Sequence, residues 1–376
     1  MRILLIGECY SSNLGDGVIC DTVANLIKEK YNNAVITRFD LSGRSDFGQY
    51  HTQYLDTKSF AWLCRIEYRI PWLINWHPFF REFKKDDIRY AISLGYLNTV
   101  LKDQYDLAIF AGGSLFMDYF AGMLYCVTYE LNKRKIPMIF HACGMSTLNN
   151  NSIKLLSKAL SRKYVKSISL RDSEESFEKT FPKIRYCSTY DTAFNCYRFF
   201  KRSSHIEANI GIGVISLKEY RVFQTELIKY LLKTNISWKL FTNGADYETA
   251  KSILIELGID NSNISKYLLD RPLTPAELVN TVTSFSKIIS FRMHSQIIAS
   301  AYGIESLGLI WDNKVFEMYK RLDLENCCQA PEIESIFDGS IFNESMDKQK
   351  LICNAKFAAE HSKNELYEKI DRIINS

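Results

Sequence analysis

Residues 285–314 set an arginine and a histidine two positions apart, Arg292 and His294, and follow them with Asp312 and Lys314. A guanidinium forks onto a carboxylate or a phosphate, and an imidazole moves protons near neutral pH. The elements around them decide where these groups point. Residues 286–291 are a short apolar run that reads as a buried strand, 296–302 an Ile/Ala-rich helix stopped by Gly303, and 306–311 a second strand. Strand, helix, strand at this spacing is a βαβ unit, which binds ligands outside the carboxyl ends of its strands. Arg292 and His294 then fall at a helix N-terminus, where the free N–H groups and the dipole favour an anion. A helix cap and a surface histidine are the plain alternative. The four residues together point to an anion-handling site.

The first half of the chain repeats the pattern with softer signals and a second sharp motif, at Arg171-Asp172. A strand at 2–6 leads through the polar turn 7–16, with Asn13 and Asp16, into an amphipathic helix at 18–29; an Asn/Asp N-cap is the competing reading. The apolar run 105–110 ends in Gly112-Gly113, which permit close backbone approach, and Asp118 follows. His141 closes the apolar run from Pro137, as a site residue or a core histidine. Arg171-Asp172-Ser173 stands between a strand and a helix at 174–180. A cation there opposes the helix dipole unless an anion lies between them.

These residues resemble the polysaccharide pyruvyl transferase family. Arg292-Met-His294-Ser followed by Trp311-Asp-Asn-Lys314 is similar to that family's Ser-Met-Arg-Leu-His and Tyr-Asp-x-Lys. Phe291, Met293 and Trp311 depart from the pattern. Asn13-Leu-Gly-Asp16 is similar to its Asn-x-Gly-Asp, with Gly17 in place of the usual Glu. The glycine run before Leu-Phe-x-Asp118 is shortened to Gly112-Gly113. Arg171-Asp172 matches Arg-Asp-x-x-Ser through Ser176, and Asp191-Thr-Ala-Phe194 stands for Asp-Pro-Ala-Phe.

At 376 residues and 47% hydrophobic, the chain has enough apolar content for two cores. The net charge of +4 is spread out, which argues against nucleic acid as a partner. The ten cysteines contain no C-x-x-C, so reduced thiols, a cytoplasmic address and no zinc or other metal site are expected. The opening apolar run is too short for a signal peptide or a membrane span. Residues 60–83 interleave Trp with Arg, and read as a packed flap, an aromatic wall for a lipid-linked glycan, or a peripheral anchor at the inner face of the membrane.

The expected fold is α/β, with two Rossmann-like domains facing a cleft in a GT-B-like arrangement and a C-terminal helix crossing back to the N-terminal domain. The expected boundaries are 1–200 on the acceptor side with Arg171, 209–342 on the donor side with Arg292 and His294, and a helix over 343–376 with Leu351, Ile352, Ala355, Phe357, Ala358 and Leu366 buried. The resemblance implies transfer of pyruvate from phosphoenolpyruvate, a co-substrate rather than a resident cofactor, to two hydroxyls of one sugar in a free or lipid-linked glycan. The product is a cyclic ketal. It gives Arg171 and Arg292 to the donor's two anions, and His294 the role of general acid with His141 or Asp16 as partner. Asn13, Gly112, Gly113, Asp118, Asp312 and Lys314 would line the substrates. The competing readings are a nucleotide-sugar glycosyltransferase of GT-B type and a family member that binds without catalysis.

Overall fold

Apolar runs ending in glycine and polar turns build two parallel sheets in this computed structural model, which describes residues 1–51, 53, 87–342 and 347–375. The aromatic segment 60–83 lies outside the described residues. The chain divides into two compact units: Met1–Ser11, Ile19–Asp191 and Ser362–Ser376 form unit 1, and Ser12–Val18 with Thr192–His361 form unit 2.

Unit 1 holds β1 (Arg2–Gly7), β2 (Val35–Asp40), a short hairpin of β3 (Arg44–Asp46) and β4 (Gln49–Tyr50), then β5 (Leu107–Phe110), β6 (Gly113–Phe116), β7 (Met138–Met145), β8 (Val165–Leu170) and β9 (Cys187–Ser188). Among the described residues its main sheet has the order β2-β1-β5-β7-β8-β9, with β6 beside β7, and every pairing in it is parallel. β5 and β7 are buried along their whole length, as parallel strands covered on both faces must be. Phe110 stacks on Phe140 with ring centroids 4.0 Å apart, and Phe116 and Phe177 extend the core. Each such side chain contributes about 1.5–3 kcal/mol when fully buried.

Unit 2 holds β10 (Ala208–Gly213), β11 (Trp238–Phe241), β12 (Phe285–Ser290), β13 (Glu305–Leu309) and β14 (Cys328–Gln329). They pair in parallel in the order β11-β10-β12-β13-β14. In each unit the chain leaves the first strand toward one side and returns to the other. The order therefore reverses between β1 and β5, and again between β10 and β12. Carboxyl ends at such a reversal are where open α/β sheets bind ligands.

Two features differ from the sequence-based boundaries. The division falls before Thr192 rather than at the basic stretch 201–209, because residues 192–200 pack inside unit 2: Asn195 Nδ2 donates to the Ala359 carbonyl at 2.8 Å, and Tyr302 Oη donates to the Phe200 carbonyl at 2.6 Å. Residues 12–18 also group with unit 2, held by the Leu14 N–H on the Asn243 carbonyl and an antiparallel bridge from Asn13 to Gly244.

The last helix, Lys348–Ile374, serves both units. Its first half buries Leu351, Ala355 and Ala358 in unit 2, and its second half buries Leu366 and Ile370 in unit 1, where Tyr367 Oη donates to the Leu26 carbonyl at 2.9 Å. Phe357 is a correction: it is 61% exposed, because one residue off the 351-355-358 stripe turns about 100° around the helix. Among the described residues no helix is long and apolar enough to cross a membrane.

Candidate active site

In unit 2, three strand ends converge. β10 delivers Ser216, β11 delivers Asn243 and Asp246, and β12 delivers Arg292. Arg292 is the N-cap of the helix Met293–Ala301, with extended backbone (φ −83°, ψ 111°), and its own N–H is held by Ser290 Oγ at 3.0 Å. Its guanidinium forks onto Asp246: Nε donates to Oδ2 at 2.8 Å and Nη2 to Oδ1 at 2.6 Å. Asp246 is fully buried and also accepts from the Ser216 N–H at 3.0 Å and Ser216 Oγ at 2.8 Å. With both oxygens engaged, the carboxylate fixes the plane of the guanidinium. Arg292 Nη1 carries no hydrogen bond to the described residues, and the side chain stays partly exposed.

The helix start is bolted to the strand end behind it. Gln296, fully buried, donates from Nε2 to the Ser290 carbonyl at 2.6 Å, and Trp311 Nε1 donates to the Phe291 carbonyl at 2.6 Å. Ser295 Oγ donates to Asn243 Oδ1 at 2.6 Å, while the buried Asn243 Nδ2 has no partner among the described residues. His294 sits in the first turn and is 6% exposed. The backbone of Gly15 lies against its ring, so close that a Cβ on Gly15 would stand 2.4 Å from Nδ1. Asn13 Nδ2 donates to Asp16 Oδ2 at 3.1 Å in the same turn. The structure thus brings Asn13, Asp16, Arg292 and His294 into one unit, although the first two are far away in sequence.

Asp312 and Lys314 are engaged locally. Asp312 caps the helix Asn313–Arg321 by accepting the Lys314 N–H at 3.0 Å and pairs with Lys314 Nζ at 3.2 Å, and Nζ also lies 4.5 Å from the Trp311 ring centroid.

Unit 1 places its candidates differently. Arg171 is 5% exposed, its charge matched by Asp172 at 3.1 Å and by Asp191. Asp172 also accepts the Met145 N–H at 3.1 Å, and Ser173, in the left-handed region at φ 58°, begins the helix without a side-chain cap. His141 is a core histidine with no exposure; burial, with Lys369 adding to it, pushes its imidazole down to about 3, and its Nδ1–H donates to Glu365 at 2.6 Å. Gly112 has φ +86°, and a Cβ there would meet the Ala142 carbonyl oxygen at 2.9 Å, so β7 alone accounts for a glycine. Gly113 is also left-handed, and Asp118 accepts the Asn149 N–H at 3.0 Å.

Residues 13–313 match the profile of the polysaccharide pyruvyl transferases, and that span holds Arg171-Asp172 and Arg292-Met-His294. The chain belongs to the polysaccharide pyruvyl transferase family. No curated protein matches the sequence. Among solved structures the family member is similar to UDP-N-acetylglucosamine 2-epimerase from Rickettsia bellii, at 13% identity and a TM-score of 0.57, covering 100% of this chain and 97% of that one. It is similar to UDP-GlcNAc 2-epimerase from Neisseria meningitidis bound to UDP-GlcNAc, at 14% identity and 0.55 over 99% and 100%. Anabaena HepE in complex with UDP and glucose aligns at 10% identity and 0.53 over 100% and 99%. These likenesses show a GT-B-like fold.

For this pyruvyl transferase family member, sequence reasoning missed Asp246. An aspartate just before a helix reads as an N-cap, yet here it makes no cap bond to its own helix, Tyr247–Glu256. Its position at the end of the strand beside β10 was the one signal available.

Proposed function

We propose that this protein transfers the pyruvyl group of phosphoenolpyruvate to two hydroxyls of one sugar in a polysaccharide or its lipid-linked precursor, giving a cyclic ketal and inorganic phosphate. Family membership supports pyruvyl transfer. The observation that carries the reading is the Arg292 guanidinium, fixed by a bidentate carboxylate at a helix N-terminus and at the reversal of a parallel sheet. Planar, forked donors suit carboxylate and phosphate, and the N–H groups of a first helical turn add to them.

Phosphoenolpyruvate is an enol phosphate. A general acid protonates its methylene carbon, and the adjacent carbon becomes oxocarbenium-like. One sugar hydroxyl adds there and gives up its proton to the base, phosphate departs, and the second hydroxyl closes the ring, its proton leaving with the phosphate. His294 is the proposed proton donor, with Asp16 its partner in the same unit. Arg292 takes the donor's anionic end. His141, held neutral in the core, is left out of this scheme, and so is Arg171, which its two carboxylates already neutralise. No resident cofactor is assigned.

The test is mass spectrometry of free and lipid-linked glycans incubated with the protein and phosphoenolpyruvate. The expected product carries one added pyruvate as a ketal, with one phosphate released per transfer. Sugar added from a UDP- or GDP-sugar instead would make the protein a glycosyltransferase.

A further inference from the structure

No stretch of the chain is dense in cations, yet the fold of unit 1 gathers them. Between Asp118 and Asp172 the only acid is Glu130, and it pairs with Arg134 one helical turn on. The cations of that run come from two places. Lys133, Arg134 and Lys135 are exposed at the end of the helix Asp118–Lys133. Lys154 and Lys158 are exposed one turn apart on the helix Asn150–Leu160, which packs on the first, and Arg162 continues their stripe at the same spacing. The two helix ends meet where the Tyr164 N–H donates to Asn132 Oδ1 at 3.3 Å. Lys163 and Lys166 lie beside the Tyr164 ring, with Nζ at 5.9 Å and 5.3 Å from its centroid. Among the described residues these lysines pair with no carboxylate.

An apolar groove borders this charge. It has a volume of about 340 Å³ and runs between the helices Asp87–Val100 and Asp118–Lys133, lined by Leu94, Leu97, Tyr125, Cys126 and Tyr129, with Asn98 and Glu130 as its polar members. Tyr129 is 48% exposed, a large ring left in water. Arg162 joins the groove to the lysines: its guanidinium lies 5.0 Å from the Tyr125 ring centroid and 5.1 Å from that of Tyr129, and Nε donates to Thr128 Oγ1 at 3.1 Å. It meets rings and neutral oxygens, so its charge is not cancelled there. A soluble polyanion would use the cations alone. A ligand with both a phosphate and a hydrocarbon chain uses the cations and the groove together.

We propose that this face of unit 1 docks on a bilayer containing anionic phospholipid, its lysines meeting headgroup phosphates and its groove taking an acyl chain beside Tyr129. Each Lys or Arg near an anionic bilayer adds attraction, and tyrosine settles at the depth of the headgroups. The lysine stems let the ammonium groups reach phosphate while their methylenes stay against the protein. The surface uses none of residues 60–83, and it stands whatever reaction unit 2 performs.

The test is sedimentation of the full chain with vesicles of phosphatidylcholine alone and of phosphatidylcholine mixed equally with phosphatidylglycerol. The protein is expected to sediment with the mixed vesicles only, and less so at molar sodium chloride, which screens the lysines. Replacing Lys158→Gln, Lys163→Gln and Lys166→Gln together, all at exposed positions that leave the fold alone, is expected to weaken binding about 10- to 100-fold. Tyr129→Ser, which keeps every lysine, is expected to weaken it about 3- to 10-fold through lost apolar contact. Equal binding to both vesicles, binding to neither, or binding that the three lysine substitutions do not move overturns the proposal. Unchanged binding of folded Tyr129→Ser removes the acyl chain from the groove. Retention on heparin without vesicle binding would make the face a site for soluble polyanions and overturn it as well.

Discussion

The backbone of Gly15 lies against the His294 side chain, leaving no room for a Cβ, which would stand 2.4 Å from Nδ1 and 2.5 Å from the ring's Cγ. Two motifs far apart in the chain thereby become one surface. Gly15→Ala must push the ring aside and is expected to cost about 1–3 kcal/mol, as overpacking does. Adding His294→Ala should return part of that loss, because the clash goes with the ring. Denaturant melts of the two single variants and the double variant check this; strict additivity would mean that the residues do not press on each other.

Turnover should separate from binding at His294. His294→Gln is expected to keep most donor affinity and to lower turnover by about 10²–10⁴-fold, the usual effect of removing a positioned acid. Donor titration and phosphate release on one preparation check it. Near-normal turnover in folded His294→Gln protein would remove the residue from the mechanism.

Asp246 should matter through Arg292. Asp246→Asn leaves the guanidinium facing an amide that offers one acceptor instead of two. Stability is expected to fall toward the lower end of the about 3–5 kcal/mol seen for breaking buried pairs, since Arg292 keeps some solvent contact. Donor affinity should fall with it, even though Asp246 carries the wrong charge to bind an anion. An unchanged donor Kd in the folded variant would show that the fork does not position the site.

Arg171 is expected to behave the opposite way. Arg171→Gln leaves Asp172 and Asp191 facing each other in the core and should cost about 3–5 kcal/mol. Donor affinity in the protein that remains folded should stay near wild type. Melting curves and donor titration together check this; intact stability with lost affinity would return Arg171 to the binding machinery.

Two buried groups predict opposite responses to acid. His141 sits below its ordinary value of 6.5, at about 3, so the stability that its neutral form gives is present above 6.5 and is lost as pH falls toward 3. Glu8 sits above its ordinary 4.5, at about 7, so its contribution is full below 4.5 and is lost as pH rises through 7. Relative to wild type, Glu8→Gln should gain between about pH 5 and about pH 8, and His141→Gln should gain between about pH 6.5 and about pH 4. Urea melts across that range read both slopes.

Much of this was legible in the sequence because burial writes itself into strands. β12, its helix and β13 were readable from one apolar run, an Ile/Ala helix and a stopping glycine. The partners of the charged residues were not legible. Asp246, after β11, meets Arg292, after β12, past the end of the intervening β10, and Glu8, after β1, meets Arg44 at the start of the β3–β4 hairpin; no local pattern records such meetings. The same limit hid the grouping of residues 12–18 with unit 2, which rests on two backbone contacts to Asn243 and Gly244. Phe357 misled for another reason: composition suggested a buried aromatic where helical phase puts it in solvent.

The donor claim is tested most directly by calorimetric titration of wild type and Arg292→Lys with phosphoenolpyruvate and, separately, with UDP-N-acetylglucosamine. Lysine keeps the charge but loses the fork on Asp246. Phosphoenolpyruvate is expected to bind wild type and to bind Arg292→Lys about 10- to 100-fold more weakly, the equivalent of the about 1.5–3 kcal/mol in one hydrogen bond to a charged group. UDP-N-acetylglucosamine is expected to bind neither. Binding of the nucleotide sugar with no heat from phosphoenolpyruvate would contradict the account.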